Sequence, residues 1–263
     1  MEIGNSMLHH QFINAEWTIL PQNLMVMKDV LLEKILSGSV EQGKPHEKSD
    51  NIEIQGSVAV MNIEGTLVPK ASMMDAVCGF ESTMQHHQNF KSLVADPSIE
   101  RIILHIDSPG GISTGVEEFA DTIYNSRSKV ETVAFVNSMA ASAGYWIASA
   151  CENIIATKSA GIGSIGTYAV VPKRKEKEDE KLYIFQAGAK KLYGAPNIEM
   201  TDEEIQFFSN KVAVGNERFI KAVAKHRGVS AEVVRNLEAE YFNAINAPSW
   251  MYTEIGDETT VLS

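Results

Sequence analysis

Apolar and polar positions along the chain follow two regimes. In residues 23–38, NLMVMKDVLLEKILSG, Val26, Val30, Leu31 and Leu36 are spaced as one face of a helix closed by a glycine. The polar run 39–51, SVEQGKPHEKSDN, carries Pro45 and reads as a linker. From residue 57 the period shortens. SVAVMNIEG (57–65) alternates as a strand ending in a glycine turn, and RIILHI (101–106), ETVAFV (131–136), NIIATK (153–158) and LYIFQ (182–186) are short β-rich runs. Helical stretches at 79–96, 113–126 and 140–150 lie between them. Strands alternating with helices predict an α/β domain over 51–263, preceded by a small helical appendage over 1–50.

The last third is helical. Thr201 and Glu204 have the spacing of a capping box, and Ile205, Phe208, Val212, Phe219 and Val223 follow on one face. Gly228 stops that helix and a second begins near Ser230.

Composition narrows the partners. The 263 residues carry a net charge of −11, which disfavours nucleic acid and anionic membrane surfaces, because binding phosphates needs clustered Lys and Arg. The one basic run, KRKEKEDEK (173–181), is cancelled by its own acids and reads as a solvated face or loop. Cys78 and Cys151 are far apart and form no CxxC, so neither a disulfide framework nor a zinc site is expected. The N-terminal stretch has no basic start followed by an apolar core, and no apolar run approaches the ~18 residues of a membrane span. A cytoplasmic protein is the expectation.

Two stretches invite chemistry. HIDSPGG (105–111) follows a strand and precedes the helical ISTGVEEFADTIYN. Pro109 biases Ser108 towards extended backbone, and Gly110 and Gly111 then let the chain turn with no Cβ in the way. Amides at such a junction can form an oxyanion hole; the same residues also fit a plain tight turn. About thirty residues on, MAASAGYWIASA (139–150) places Ser142 at a strand-to-helix junction among small neighbours, where it is either core packing or a nucleophile. Position 140 is alanine, so this is not the G-x-S-x-G elbow. Of the seven histidines only His226 follows Ser142, which leaves a Ser–His–Asp arrangement poorly supported. Lysine can replace histidine where burial holds its amine neutral. FQAGAKKLYGAP (185–196) offers Lys190 and Lys191, although most lysine pairs are simply solvated surface.

Together these pieces resemble the signal peptide peptidase A family of serine proteases, most closely its phage capsid-maturation (prohead) branch. GSVAVMNIEGTLVPK resembles the family's first strand and turn, IILHIDSPGG its oxyanion segment, and SAGYWIASACENIIAT its nucleophile helix and following strand. GIGSIGTYAVV is similar to its Gly-Ser-Ile-Gly strand, AGAKKLYGAP to its Gly-x-x-Lys loop, and EWTILPQNLMVMKDVLLEKILSG to the Trp-plus-helix start of phage members. The resemblance spans residues ~15 to ~245, nearly the whole chain by the domain reading above.

It implies a crotonase-like (Clp protease-like) α/β spiral of ββα units with a helical C-terminal part. Ser142 becomes the nucleophile, and Lys191, counted from Gly188, the general base. The amides of Gly111 and Ala143 become the oxyanion hole, beside Gly110, and Ser164 helps to orient the lysine. The implied substrate is a capsid or scaffold protein, and the implied assembly a homo-oligomer in which the dyad can be completed at a subunit boundary. The family's Ala-x-x-x-Gly-Leu-x-Asp ending is scarcely kept in NAINAPSWMYTEIGDE (243–258), so different packing is expected there. With Ser263 as the last residue, the fused scaffolding segment that some phage proteases carry is not expected.

Three rivals share parts of this pattern. A host signal-peptide-degrading peptidase shares the chemistry but is expected to carry a membrane anchor. A crotonase-like acyl-thioester enzyme uses the same glycine amides and needs neither Ser142 nor Lys191. A silent assembly protein keeps the fold, yet here every candidate catalytic position is filled.

Overall fold

The computed structural model describes residues 15–23, 52–71, 79–171, 186–195 and 199–262. The helix expected over 23–38, the linker over 39–51 and the strand expected over 182–186 lie, but for residues 23 and 186, outside these residues.

The scaffold is a six-stranded sheet in the order β14-β10-β8-β6-β3-β2, from Ile52–Gln55 (β2), Val58–Glu64 (β3), Arg101–Asp107 (β6), Glu131–Val136 (β8), Asn153–Ala156 (β10) and Glu254–Ile255 (β14). Only β2, hairpinned onto β3, runs antiparallel. Alternation along these strands supplies both faces. Met61, Ile63, Ile102, Leu104, Ala134 and Ile154 join the main core, while Ile103, Val133, Phe135 and Ile155 pack with Val261 on the other side. Val261 lies in the short helix Glu258–Leu262, so the divergent C-terminal stretch is built into the sheet's edge and rear face.

Each long strand is followed by a short one that leaves the main sheet, and then by a helix where the chain continues into the next unit. β6 leads to Gly110–Ile112 (β7) and helix α2 (Val116–Ser126); β8 leads to Met139–Ala141 (β9) and helix α3 (Ala143–Ala150); β10 leads to Gly161–Gly163 (β11). In the first unit, β3 leads to Thr66–Val68 (β4), Phe80–Ser82 (β5) and helix α1 (Thr83–Ala95). This is the spiral of ββα units that the resemblance implies. The short strands were not legible as strands, because three residues give no period to read. They build two further sheets. One is β13-β11-β9, with β13 at Tyr241–Asn243; the other is β12-β1-β7-β4-β5, with β1 at Glu16–Ile19 and β12 at Tyr168–Ala169.

Helix α1 starts at Thr83 rather than 79, where the Ser82 hydroxyl accepts from the Gln85 amide at 3.2 Å. The long helix α4 (Asp202–Arg227) has the expected capping box, Thr201 with Glu204, and Gly228 closes it at φ 68°. Helix α5 (Ala231–Arg235) follows.

Candidate active site

Ser142 is the N-cap of α3 and holds an unusual backbone, φ 54° and ψ −116°. That is the first central position of a type II′ turn, normally glycine's. A serine held there costs on the order of 1–3 kcal/mol and persists only where its surroundings enforce it. They do. Its amide donates to the Gly163 carbonyl (2.8 Å), its carbonyl accepts from the Trp146 amide (2.9 Å), and β9 pairs in parallel with β11. The side chain is fully buried, and its hydroxyl donates to the Gly166 carbonyl at 3.4 Å.

Gly110 lies directly against this serine, with Gly111 next in the chain. Ala141 donates to the Ser108 carbonyl (3.0 Å) and Ser108 to the Met139 carbonyl (2.9 Å), which ties the end of β6 to β9. The Ser108 hydroxyl donates to the Gly65 carbonyl (2.7 Å) and accepts from the Gly110 amide (3.2 Å), fixing the turn. At Gly110, φ 102°, a Cβ would clash with the Thr18 carbonyl oxygen and come within 3.0 Å of Ser142 Cβ. At Gly111 it would run into the Leu67 backbone, 2.7 Å from its Cα. The two glycines are therefore required by close approach. Helix geometry also leaves the Ala143 amide without an intrahelical acceptor beside Ser142.

Residues from three motifs thus meet: 108–111, 139–144 and 163–166. Ser164, half-buried at φ 53°, donates its amide to the Glu240 carbonyl (2.8 Å). Lys191 is exposed on a turn in which its amide donates to the Gly188 carbonyl at 3.0 Å. Among the described residues no hydrogen bond joins it to Ser142. Lys190 has its ammonium 5.3 Å from the Phe207 ring centroid, and the Gly194 amide reaches Glu204 at 3.4 Å, so the loop docks on the start of α4.

Two features escaped the sequence reading. The Ser108 hydroxyl organises the glycine turn; the signal was a hydroxyl two residues before the first glycine. Strand β1 lies along β7, pairing Thr18 with Gly111. On either side, Leu20 donates to the Pro109 carbonyl (3.0 Å) and Ser113 to the Glu16 carbonyl (3.1 Å). Antiparallel ladders alternate, so Thr18–Gly111 is a hydrogen-bonded pair and the Gly111 amide meets the Thr18 carbonyl.

A serine–histidine contact does exist, in the wrong place. Ser149 Oγ and His226 Nδ1 are 3.0 Å apart and both residues are buried. Burial, with Arg127, Lys225 and Arg227 nearby, pushes His226 down to about 3. Tyr124 stacks on its ring at 4.9 Å, and Arg127 caps the end of α3 through the Ser149, Ala150 and Cys151 carbonyls. This is packing, as are Tyr145, which donates to the Met251 carbonyl (2.9 Å), and Trp146, stacked on Phe219 at 4.3 Å. One consequence is testable. His226 stays neutral in the folded chain while the unfolded chain protonates below about pH 6.5. The stability it contributes is full above that pH and falls by up to about 1.4 kcal/mol per pH unit as pH drops towards 3. Thermal melts at pH 7.5 and 5.0 are expected to show a smaller loss for His226→Gln than for the parent chain.

Among the described residues no three His, Cys, Asp or Glu side chains converge as a metal site, and no helix is long and apolar enough to cross a membrane.

A spiral of ββα units with a strained serine at a helix N-cap, facing a glycine pair, defines a Clp-protease-like fold carrying a candidate acyl-transfer centre. Over part of its length the chain is similar to the S49 peptidases. The model described as Peptidase family S49 matches residues 125–253, and the model described as Clp protease matches 80–162. Capsid assembly protease C of Escherichia phage lambda is 25% identical over 226 residues, 85% of this chain and 51% of that protein. Head-tail preconnector protein GP5 of Enterobacteria phage P21 is 28% identical over 192 residues, 72% of this chain and 38% of that protein. A putative signal peptide peptidase SppA of Enterococcus faecium is 27% identical over 218 residues, 78% of this chain and 58% of that protein. The chain thus spans about half the length of these curated relatives.

Proposed function

We propose that this chain is a serine endopeptidase of the capsid-maturation type, with residues 51–263 as its catalytic domain, Ser142 as nucleophile and Lys191 as general base. The observation that carries the reading is the strained backbone of Ser142 against Gly110 and Gly111. Strained backbone of this kind clusters at functional sites, and here it falls on the serine that lies against Gly110.

In the mechanism, Lys191 Nζ takes the proton from Ser142 Oγ as that oxygen attacks the peptide carbonyl. The amides of Gly111 and Ala143 stabilise the tetrahedral oxyanion, and the lysine returns the proton to the leaving amine. Water, deprotonated by the same lysine, then attacks the acyl ester and frees Ser142. A lysine serves as a base only where burial disfavours its charged form. The exposed 186–195 loop must therefore close over a Ser142, that of its own chain or of a neighbouring copy in a homo-oligomer. In this reading the Ser164 hydroxyl orients the amine once the loop has closed.

The capsid or scaffold substrate, and action in the bacterial cytoplasm or assembling prohead, are inferred from the two phage relatives. Co-expression with the capsid and scaffold proteins of the same phage or prophage tests this. A processed terminus seen by mass spectrometry only with the active chain is expected; unprocessed partners throughout would count against it. Within the loop, Lys191→Ala is expected to abolish processing and Lys190→Ala to retain most of it. The reverse outcome would move the base by one residue.

A further inference from the structure

Ser142 is sealed, and one of the elements that seals it is the chain's own β1. This strand sits between two others, antiparallel to both. Thr18 pairs with Gly111 on β7, and Trp17 and Glu16 pair with Tyr168 and Ala169 on β12. Its Thr18 carbonyl takes up the Gly111 amide, and its Thr18–Ile19 backbone crowds the same side of Gly110 as Ser142: a Cβ added there would clash with the Thr18 carbonyl oxygen and lie 3.0 Å from Ser142 Cβ. The Thr18 hydroxyl adds a donation to the Gly111 carbonyl at 3.2 Å.

We propose that β1 occupies in cis the slot in which an extended protein substrate binds, with the Thr18 carbonyl standing where the scissile carbonyl stands, so that substrate enters only when β1 leaves. The proposal deepens the peptidase reading and rests on it for the role of Gly111 and Ser142.

Three observations support it. An oxyanion donor must be free when substrate arrives, yet the Gly111 amide is already engaged by a main-chain carbonyl, the group it would meet in a substrate. A nucleophile with no exposed surface cannot react until a cover moves. And β1 is separable from the rest: Trp17 and Ile19 pack with Val68, Phe80 and Ile112 in a small cluster distinct from the main core, while β7 keeps its second partner, β4.

The slot also defines a substrate class. Trp17 and Ile19 fall on one face of the strand and Thr18 on the other. A competing segment is extended, with large apolar residues flanking a small β-branched one. Its main chain would complete the sheet, and two apolar side chains would fill the cluster.

Peptide binding to chains carrying Ser142→Ala, which cannot cleave, tests the slot without relying on catalysis. The probe is a fluorescently labelled peptide of residues 15–21, AEWTILP, with its scrambled version as control. Thr18→Pro removes the amide that β1 donates to the ladder, and Trp17→Ala, a gentler change, empties the apolar cluster. Binding at least tenfold tighter to these variants than to the chain with intact β1, and none of the scrambled peptide, is expected. Equal binding by all chains, or no binding by a variant that still melts cooperatively, overturns the proposal. So does failure of both variants to fold, because β1 would then be indispensable structure. A fluorophosphonate applied to chains that retain Ser142 reads the nucleophile separately. Peptide binding without labelling would uphold the slot and reject Ser142 as nucleophile.

Discussion

Ser142→Ala is expected to lower cleavage of the natural substrate by about 10⁴-fold or more while leaving the fold intact. The loss is large because in the proposed mechanism Ser142 carries the covalent step. The structural cost is small, since the hydroxyl's hydrogen bond to the Gly166 carbonyl is long, at 3.4 Å. Alanine inherits the backbone strain at φ 54°, so the two proteins should melt within a degree or two of each other. Ser142→Gly separates strain from chemistry. It relieves roughly 1–3 kcal/mol of strain against about 0.5–1 kcal/mol of added unfolded-state entropy, and should melt at or above Ser142→Ala while remaining inactive. Calorimetry beside a cleavage assay checks both. A Ser142→Gly chain melting well below Ser142→Ala would show that no strain is held there.

The second large effect is expected at Gly111. A Cβ there meets the Leu67 carbonyl group and Cα of the adjacent strand, and backbone in the middle of a sheet cannot rotate aside as a side chain does. Gly111→Ala should destabilise the chain by about 3 kcal/mol, at the upper end for overpacking, lowering Tm by roughly 6–12 °C. It should also cost at least 100-fold in activity, because β7 can relieve the clash only by moving the amide proposed to face the reacting carbonyl. Gly79→Ala supplies the contrast. Its φ of 76° is unfavourable for alanine, which the Gly111 backbone is not, and the added Cβ meets nothing within 4 Å, so only a conformational cost of about 1 kcal/mol applies. If the two variants melt alike, close approach is not the reason for glycine at 111.

Much of this was written locally. The long strands of the main sheet were legible because their alternation is set by burial on two faces. The α4 cap was legible because Thr201 and Glu204 interact across three residues. Oxyanion segment and nucleophile helix could be paired only through the order of several motifs, since neither glycine turn nor small helix is distinctive alone. What joins them, the Ser108 carbonyl bonded to the Ala141 amide, spans more than thirty residues and leaves no local trace.

Acting alone, the sequence determined the alternation of strands and helices, the glycines a tight approach demands, and the residue types a serine–lysine reaction needs. These are properties of single residues and their near neighbours, where sterics, capping and burial act over a few positions. Tertiary structure decided that Ser142 is held at positive φ, that Ser149 rather than Ser142 meets His226, and that Lys191 lies exposed on its loop. It also decided that Thr18 lies on Gly111, 93 residues away in the chain. Backbone groups can pair with any strand that presents itself at the right register, so which strand fills that edge is set only when the whole chain has folded.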